Sequence, residues 1–195
     1  MTSLFDRPGG AIAVAAMATM NRAAEAEAIQ LLRPAPADRV LVLGFGPGIG
    51  IRLLAKHLAR GGAVVGVDPS TTMMKAASAA NRANLACGRV TLHVTTAERV
   101  PADQASFDGA IAVNTLQFCE PFAATANELA RVLKPGARMV SLTHDWALAR
   151  HAGSSSAWLE AVRAVLVAAH FDEIEDGRGL AEKGRIVRLT ARRQL

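Results

Sequence analysis

Val40-Leu41-Val42-Leu43-Gly44-Phe45-Gly46-Pro47-Gly48-Ile49-Gly50 decides how the chain is read. Four consecutive β-favouring residues with no polar partner predict a strand buried on both faces, as in a parallel sheet. Alternating glycines then break the run, and Ile51, Leu54, Ala55 and Leu58 fall on one side of a helix predicted over Ile51–Arg60. A strand, a glycine turn and a helix place bare backbone N–H groups and a helix N-terminus at the carboxyl end of a strand, which makes a ligand cradle. The spacing chooses among ligands. A dinucleotide turn needs G-x-G-x-x-G, but the third glycine position is Ile49 counted from Gly44 and Ile51 counted from Gly46. A phosphate-gripping loop ends in Gly-Lys-Ser/Thr, and no lysine precedes Lys56.

Outward from the cradle, the same alternation repeats. Ala63-Val64-Val65-Gly66-Val67 predicts a second buried strand ending at Asp68, an acid placed to accept hydrogen bonds from both hydroxyls of a ribose. Pro69 ends the strand, and Ser70 caps a helix whose apolar face is Met73, Ala76, Ala77 and Ala80. Val90–Val94 and Phe107–Asn114 predict strands three and four, and His93, alternating with apolar neighbours, reads as a structural residue. A helix after Pro121 turns in Phe122, Ala126, Leu129 and Leu133, Lys134-Pro135-Gly136 ends it, and Met139–Thr143 is strand five. Crossovers this short are right-handed, so the fold class is α/β with a doubly wound, mostly parallel sheet. A helix capped by Ser154–Ser156 carries Trp158, Val162, Val165, Leu166 and Ala169 on one face. Two last strands, Phe171–Glu175 and Ile186–Thr190, follow without a helix between them and are expected to pair antiparallel.

Ahead of the cradle, residues 1–9 read as a loose lead-in, and Ala13, Met17, Met20, Ala24, Ala28 and Leu31 mark one helical face between Gly10 and Leu32. Two readings of that helix stand side by side: core packing against the sheet, or a cover over the ligand crevice with Met17 and Met20 as adaptable contacts. The organisation expected is a single domain over 1–195, with a helical cover over 1–36 and a core over 37–195.

Composition sets the outer bounds. Hydrophobic residues make up 51% of the 195 and charged residues 20%, which excludes a disordered chain. Cys87 and Cys119 stand far apart in no metal-ligand spacing, consistent with a reduced, cytoplasmic setting. No apolar run approaches the ~18 residues of a membrane span, and the opening segment has Glu25 and Glu27 and no basic leader, so no export signal is expected. The net charge is +5, and Arg178, Lys183, Arg185, Arg188, Arg192 and Arg193 against Glu182 carry all of it. Without interleaved aromatic residues this tail reads as a charged edge strand that blocks sheet-to-sheet association rather than as a nucleic-acid patch.

Motif by motif, Gly44–Gly48, Val65–Ser70, Ala97-Glu98-Arg99-Val100-Pro101, Ser106-Phe107-Asp108 and Glu128–Gly136 resemble the class I S-adenosylmethionine-dependent methyltransferases. The run Glu128–Gly136 is similar to the helix-to-turn signature of the ubiquinone/menaquinone C-methyltransferase-like branch. The resemblance implies a Rossmann-like methyltransferase fold of seven strands with an antiparallel last strand. It also implies S-adenosylmethionine as cofactor, with S-adenosylhomocysteine as product. By that resemblance Gly44, Phe45, Gly46 and Gly48 surround the methionine part, Asp68 takes the ribose hydroxyls, and Met73 or Pro69 packs on adenine. Thr96 and Ala97 flank the adenine edge, and Asn114 closes the site. Two positions depart from the family: Val42 and Thr96 stand where it usually carries acids.

Methyl transfer from a sulfonium is an in-line displacement that needs orientation more than a catalytic triad. His144, beside Asp145 just after strand five, is the candidate base for a protonated acceptor. The acceptor class expected is a small molecule. Asn114-Thr115-Leu116-Gln117 lacks the Pro-Pro-aromatic run of nucleic-acid amino-methyltransferases, and Phe118-Cys119-Glu120 lacks the cytosine-type Pro-Cys. A homodimer is left open. Val42 and Thr96 also leave open a noncatalytic binding or regulatory protein on the same fold, while an NAD-type oxidoreductase lacks its third glycine.

Overall fold

The computed structural model describes residues 10–58, 61–151, 153–180 and 185–195, and within them all side chains except those of residues 10–18 and 151. The lead-in of residues 1–9, the side chains of Ala13 and Met17, Arg60, Glu182 and Lys183 lie outside the described residues. The element order is α1 (Gly10–Leu32), β1 (Arg39–Leu43), α2 (Ile49–His57), β2 (Ala63–Asp68), α3 (Thr71–Ala80), α4 (Arg82–Ala86), β3 (Val90–Val94) and β4 (Phe107–Val113). A 3-10 turn (Leu116–Phe118), α5 (Phe122–Val132), β5 (Leu133–His144), α6 (Asp145–His151), α7 (Ser155–Ala168), β6 (Phe171–Arg178) and β7 (Ile186–Arg193) complete it.

The strands form one seven-stranded sheet in the order β3-β2-β1-β4-β5-β7-β6. Neighbours from β3 to β5 pair parallel, and β7 runs antiparallel to both β5 and β6. The continuous apolar runs are explained by burial on both faces. Leu41, Leu43, Val65, Val67, Ala110 and Ala112 turn to a layer shared with α5 and α7. Their alternates Val40, Val42, Val64, Ile111, Val140 and Leu142 turn to a layer shared with α1, α2 and α3. Pairing Leu43 with Val67 and with Ala112 aligns the carboxyl ends of β1, β2 and β4 at one edge. α1 packs across α2, β4 and β5, with Ala24 and Ala28 fully buried, so it contributes to the core while crossing that edge.

Three expectations change. β5 begins at Leu133, so Leu133 and Lys134-Pro135-Gly136, expected on the helix and at its end, belong to the strand. The helix after the glycines begins at Ile49, because Gly48 caps it in the left-handed conformation (φ 84°). The basic tail is not an edge strand: antiparallel β7 inserts between β5 and β6, and the edge falls to β6. That edge is acidic, with Asp172, Glu173, Glu175 and Asp176 exposed. Three of the tail arginines are engaged locally. Arg192 pairs with Glu173 at 2.8 Å, and Arg178 with Asp145 at 2.6 Å. Arg193 donates to Ala130 O and His170 O. Among the described residues no helix is long and apolar enough to cross a membrane.

Candidate active site

The glycine turn leaves β1 through three left-handed residues, Gly44 (φ 64°), Gly46 (φ 50°) and Gly48 (φ 84°). L-residues with a Cβ avoid this region, so the turn needs glycine before any ligand is considered. Neighbouring protein fills the space as well. A Cβ on Gly44 would stand 2.2 Å from Thr115 Oγ1, one on Gly48 2.8 Å from Ala77 Cβ, and one on Gly50 2.2 Å from Glu25 Oε2. Thr115 Oγ1 lies 3.0 Å from Leu43 O and 3.1 Å from Val113 O, closing over the turn. Asn81, at the end of α3, donates from Nδ2 to Gly48 O at 3.0 Å and holds it from the other side.

The donors of the turn are largely spoken for. Gly44 N–H donates to Val67 O (2.8 Å), Gly46 N–H to Asp68 Oδ2 (2.9 Å) and Gly48 N–H to Phe45 O (2.9 Å). The Phe45 side chain turns into the core beneath Gly66. The bare amides of the cradle therefore belong to the first turn of α2, where Arg52 makes the first helical bond, to Gly48 O, and the N–H groups of Ile49, Gly50 and Ile51 come before it. What Gly44–Gly48 contribute is room and curvature.

Asp68 ends β2 facing this turn and is 8% exposed. Its Oδ2 accepts from Gly46 N–H and its Oδ1 from Ser70 N–H, each at 2.9 Å. Burial pushes its carboxyl above the ordinary value while the two backbone bonds pull the other way. A carboxylate has about four acceptor positions, so two remain for a diol.

Asn114 follows β4 with a positive φ of 52°, which asparagine tolerates better than most residues. One arrangement of its amide satisfies every neighbour. Oδ1 accepts from the His144 backbone N–H (2.9 Å), and Nδ2 donates to Asn21 Oδ1 (3.0 Å) and to His144 Nδ1 (2.8 Å). His144 Nδ1 also stands 3.0 Å from Asn114 Oδ1, so it accepts from Nδ2 in one tautomer and donates to Oδ1 in the other. His144 is 1% exposed. Either tautomer keeps the ring against Asn114, and the one with Nδ1 protonated leaves Nε2 as an acceptor, the form a general base requires. Its ring lies 5.8 Å from that of Trp146, and Asp145 is directed instead to Arg178.

The adenine side divides the predicted residues. Met73 is 2% exposed and packs in the core with Ala77. Pro69 and Thr96 are exposed, and Ala97 is half-buried against the core. Val42, 2% exposed, lies in the apolar layer with Ala24 and Ala28.

Four residues escaped sequence reasoning: Asn21, Glu25, Asn81 and Thr115. Glu25 is 6% exposed, and its Oε2 makes no hydrogen bond among the described residues. Burial alone raises its carboxyl to about 8. The signal was the i, i+4 spacing of Asn21 and Glu25 inside an alanine-rich stripe, which puts both on one helical face. Among the described residues no three His, Cys, Asp or Glu side chains gather as a metal site would require.

The residues present fit a sulfonium nucleoside. A protected carboxylate with spare acceptor positions, free amides at a helix N-terminus and an unpartnered buried carboxyl match a diol, a carboxylate and a cation in turn.

Comparison with known proteins gives a family. Residues 41–141 match the family described as "Methyltransferase domain". An uncharacterized methyltransferase of Mycobacterium bovis is 38% identical over 113 residues, which cover 58% of this chain and 42% of the relative. The chain thus spans about two fifths of the length of that relative. Among solved structures, an S-adenosylmethionine-dependent methyltransferase from Aquifex aeolicus superposes with a TM-score of 0.69 at 17% identity, covering 92% of this chain and 96% of that one. The Haemonchus contortus phosphoethanolamine N-methyltransferase 2, solved with S-adenosyl-L-methionine, gives 0.72 at 16% identity over 88% of this chain and 52% of that one.

Proposed function

Because the chain belongs to the methyltransferase-domain family, we propose that it transfers a methyl group from S-adenosylmethionine to a small-molecule acceptor. The observation that carries this reading is Asp68, protected at the tip of β2 and fixed by Gly46 N–H and Ser70 N–H, with acceptor positions left over. In this reading Asp68 receives the ribose hydroxyls, Pro69 and the Thr96-Ala97 segment border the adenine, and the first turn of α2 receives the methionine carboxylate. The cofactor supplies an activated methyl carbon: the acceptor atom forms a bond to it as the carbon–sulfur bond breaks, and the electron pair stays on sulfur.

The acceptor side is lined by Asn114, anchored to Asn21 of the covering helix. Met20, Phe118 and Trp146 stand 49%, 58% and 50% exposed beside Asn21, the end of β4 and the end of β5 respectively. Three apolar side chains around one edge suit an acceptor with an apolar face. His144, held against Asn114 at the end of β5, is the base in this reading where the acceptor is protonated, through Nε2 of the tautomer in which Nδ1–H donates to Asn114 Oδ1. The signature Glu128–Gly136 favours the ubiquinone/menaquinone C-methyltransferase-like branch, although its Glu128–Arg131 pair has a structural duty. Glu128 accepts from Val100 N–H and Arg131 donates to Ala102 O.

Calorimetric titration with S-adenosylhomocysteine tests the reading. Saturable heat that Asp68→Asn weakens supports it. No heat at millimolar ligand would sink it in favour of a noncatalytic binding protein, the alternative that Val42 and Thr96 motivate.

A further inference from the structure

The glycine turn lacks the acid that the family usually carries at the position of Val42, yet a carboxyl is present from elsewhere in the chain. α1 crosses the ligand edge and sets Asn21 and, one turn later, Glu25 on the face it presents there. Asn21 is fixed by Asn114 at the end of β4. Glu25 reaches α2, where its Oε2 lies 2.2 Å from where a Cβ of Gly50 would stand, in the first turn of the helix whose free amides form the cradle.

We propose that Glu25 is a cofactor-binding residue. Its carboxylate, delivered by α1, receives the ammonium group of the cofactor's methionine end in place of the acid missing at Val42, and binding releases a proton. This rests on the S-adenosylmethionine reading above.

Three features support it. Glu25 Oε2 is buried and unpartnered among the described residues, and a buried polar atom in that state costs stability until something meets it. Gly50, inside a helix where alanine would be the better former, removes the one atom that would displace the carboxyl. The amino-acid end of the cofactor presents an ammonium beside a carboxylate, which needs an acid next to free amides, and Glu25 over the first turn of α2 is that pair.

In the free protein burial raises Glu25 to about 8, so it is mostly protonated at neutral pH. Nothing charged on the surrounding elements enters that shift. On α1 itself Glu27 accepts from Leu180 N–H. On β4 and β5, Asp108, Lys134 and Arg138 sit at the opposite edge with partners of their own. Arg22 of α1, Arg52, Lys56 and His57 of α2, and His144 of β5 make no contribution to it. A cation arriving beside Glu25 favours the ionised form, and the proton leaves to solvent.

The test is titration with S-adenosylhomocysteine near pH 6.5 in buffers of different ionisation heat, on the wild type and on Glu25→Gln. The wild type is expected to release close to one proton. Its affinity should tighten about tenfold per pH unit below pH 8 and level off above it. Glu25→Gln is expected to bind about ten- to a hundredfold more weakly at pH 8 and to lose the proton release. The difference between the chains separates Glu25 from Asp68. 5′-Methylthioadenosine, which lacks the amino-acid end, should bind both chains alike without that release.

Binding by the wild type with no proton released, or equal affinities of the two chains for S-adenosylhomocysteine, overturns the assignment and leaves the cofactor reading standing. Failure of the wild type to bind either nucleoside overturns both. The proton count needs no variant, so a Glu25→Gln chain that does not fold leaves the test intact.

Discussion

The two edges of the sheet treat charge in opposite ways. Where the strands begin, carboxylates are compensated. Asp108 is raised by burial, but Lys134 and the Arg39 N–H outweigh that and hold it below its ordinary value. On the helix that leads into β5, the Arg131 guanidinium lowers Glu128 against a smaller effect of burial. A hollow of about 250 Å³ at that edge is lined by arginines and glutamates of which Arg192 and Glu173 are already paired. Where the parallel strands end, Glu25 and Asp68 are both raised, chiefly by burial, with no cation beside either. At one edge Asp108 and Glu128 have their counter-charges in place. The other holds two carboxyls out of water without counter-charge, the condition of a site built for something that arrives.

The comparison breaks most visibly in the pH dependence of stability. Glu25 has a folded value of about 8 against an ordinary 4.5, so the folded chain keeps a proton that the unfolded chain gives up between them. Its contribution is therefore fully present below the unfolded value and lost as pH rises through 8, in total about 5 kcal/mol, of which roughly 3–4 kcal/mol falls between pH 5 and pH 8. Urea denaturation at about pH 5 and about pH 8 should show that loss in the wild type and most of it abolished in Glu25→Gln. A flat wild-type profile, or an equal fall in the variant, would remove the ligand edge's distinction.

Next in size is Gly44→Ala. The substitution forces a left-handed alanine (φ 64°) and drives its Cβ against Thr115 Oγ1. A loss of about 3 kcal/mol in unfolding free energy is expected. If Thr115→Ala in the same chain recovers part of it, the clash rather than φ sets that part.

Asp68→Asn follows. The amide cannot accept from both Gly46 N–H and Ser70 N–H and still offer charge to a diol. Affinity for S-adenosylhomocysteine should fall about ten- to a hundredfold, roughly 1.5–3 kcal/mol, by calorimetry. Unchanged affinity would mean that the diol lies elsewhere.

What sequence could and could not supply follows the same division. Val40–Leu43 and Val64–Val67 are legible because burial on both faces demands uninterrupted apolar runs. Asp68 is legible because it is tied by chain order to the turn before it. The place of β7 is not, since a period-two pattern identifies a strand without fixing its neighbours, and the insertion of β7 between β5 and β6 is decided by the whole sheet. The glycines are legible as glycines, but their reasons, Thr115, Asn81 and Glu25, lie far away in sequence and meet them only in the fold. Glu25 is the clearest case. An acid in an alanine-rich helix looks like a solvated residue until α1 is laid over α2, and only then does it become a buried carboxyl at the ligand edge.

The smallest effect is expected at the compensated edge. Lys134→Ala removes the ion pair with Asp108, whose side chains are 47% and 26% exposed, so solvent already screens it. The Arg39 N–H still donates to Asp108 Oδ2 at 2.9 Å, and the carboxylate is not stranded. Stability at neutral pH should therefore drop by less than about 1 kcal/mol. Because Asp108 is held below its ordinary 3.8, that contribution is present above the unfolded value and lost as pH falls, the reverse of Glu25. Affinity for S-adenosylhomocysteine should not move. Urea midpoints at neutral and acidic pH, with a parallel titration, measure both. A larger loss, or a change in binding, would show that the two edges are energetically coupled through β4 and β5, and the contrast between a finished edge and a waiting one would have to be given up.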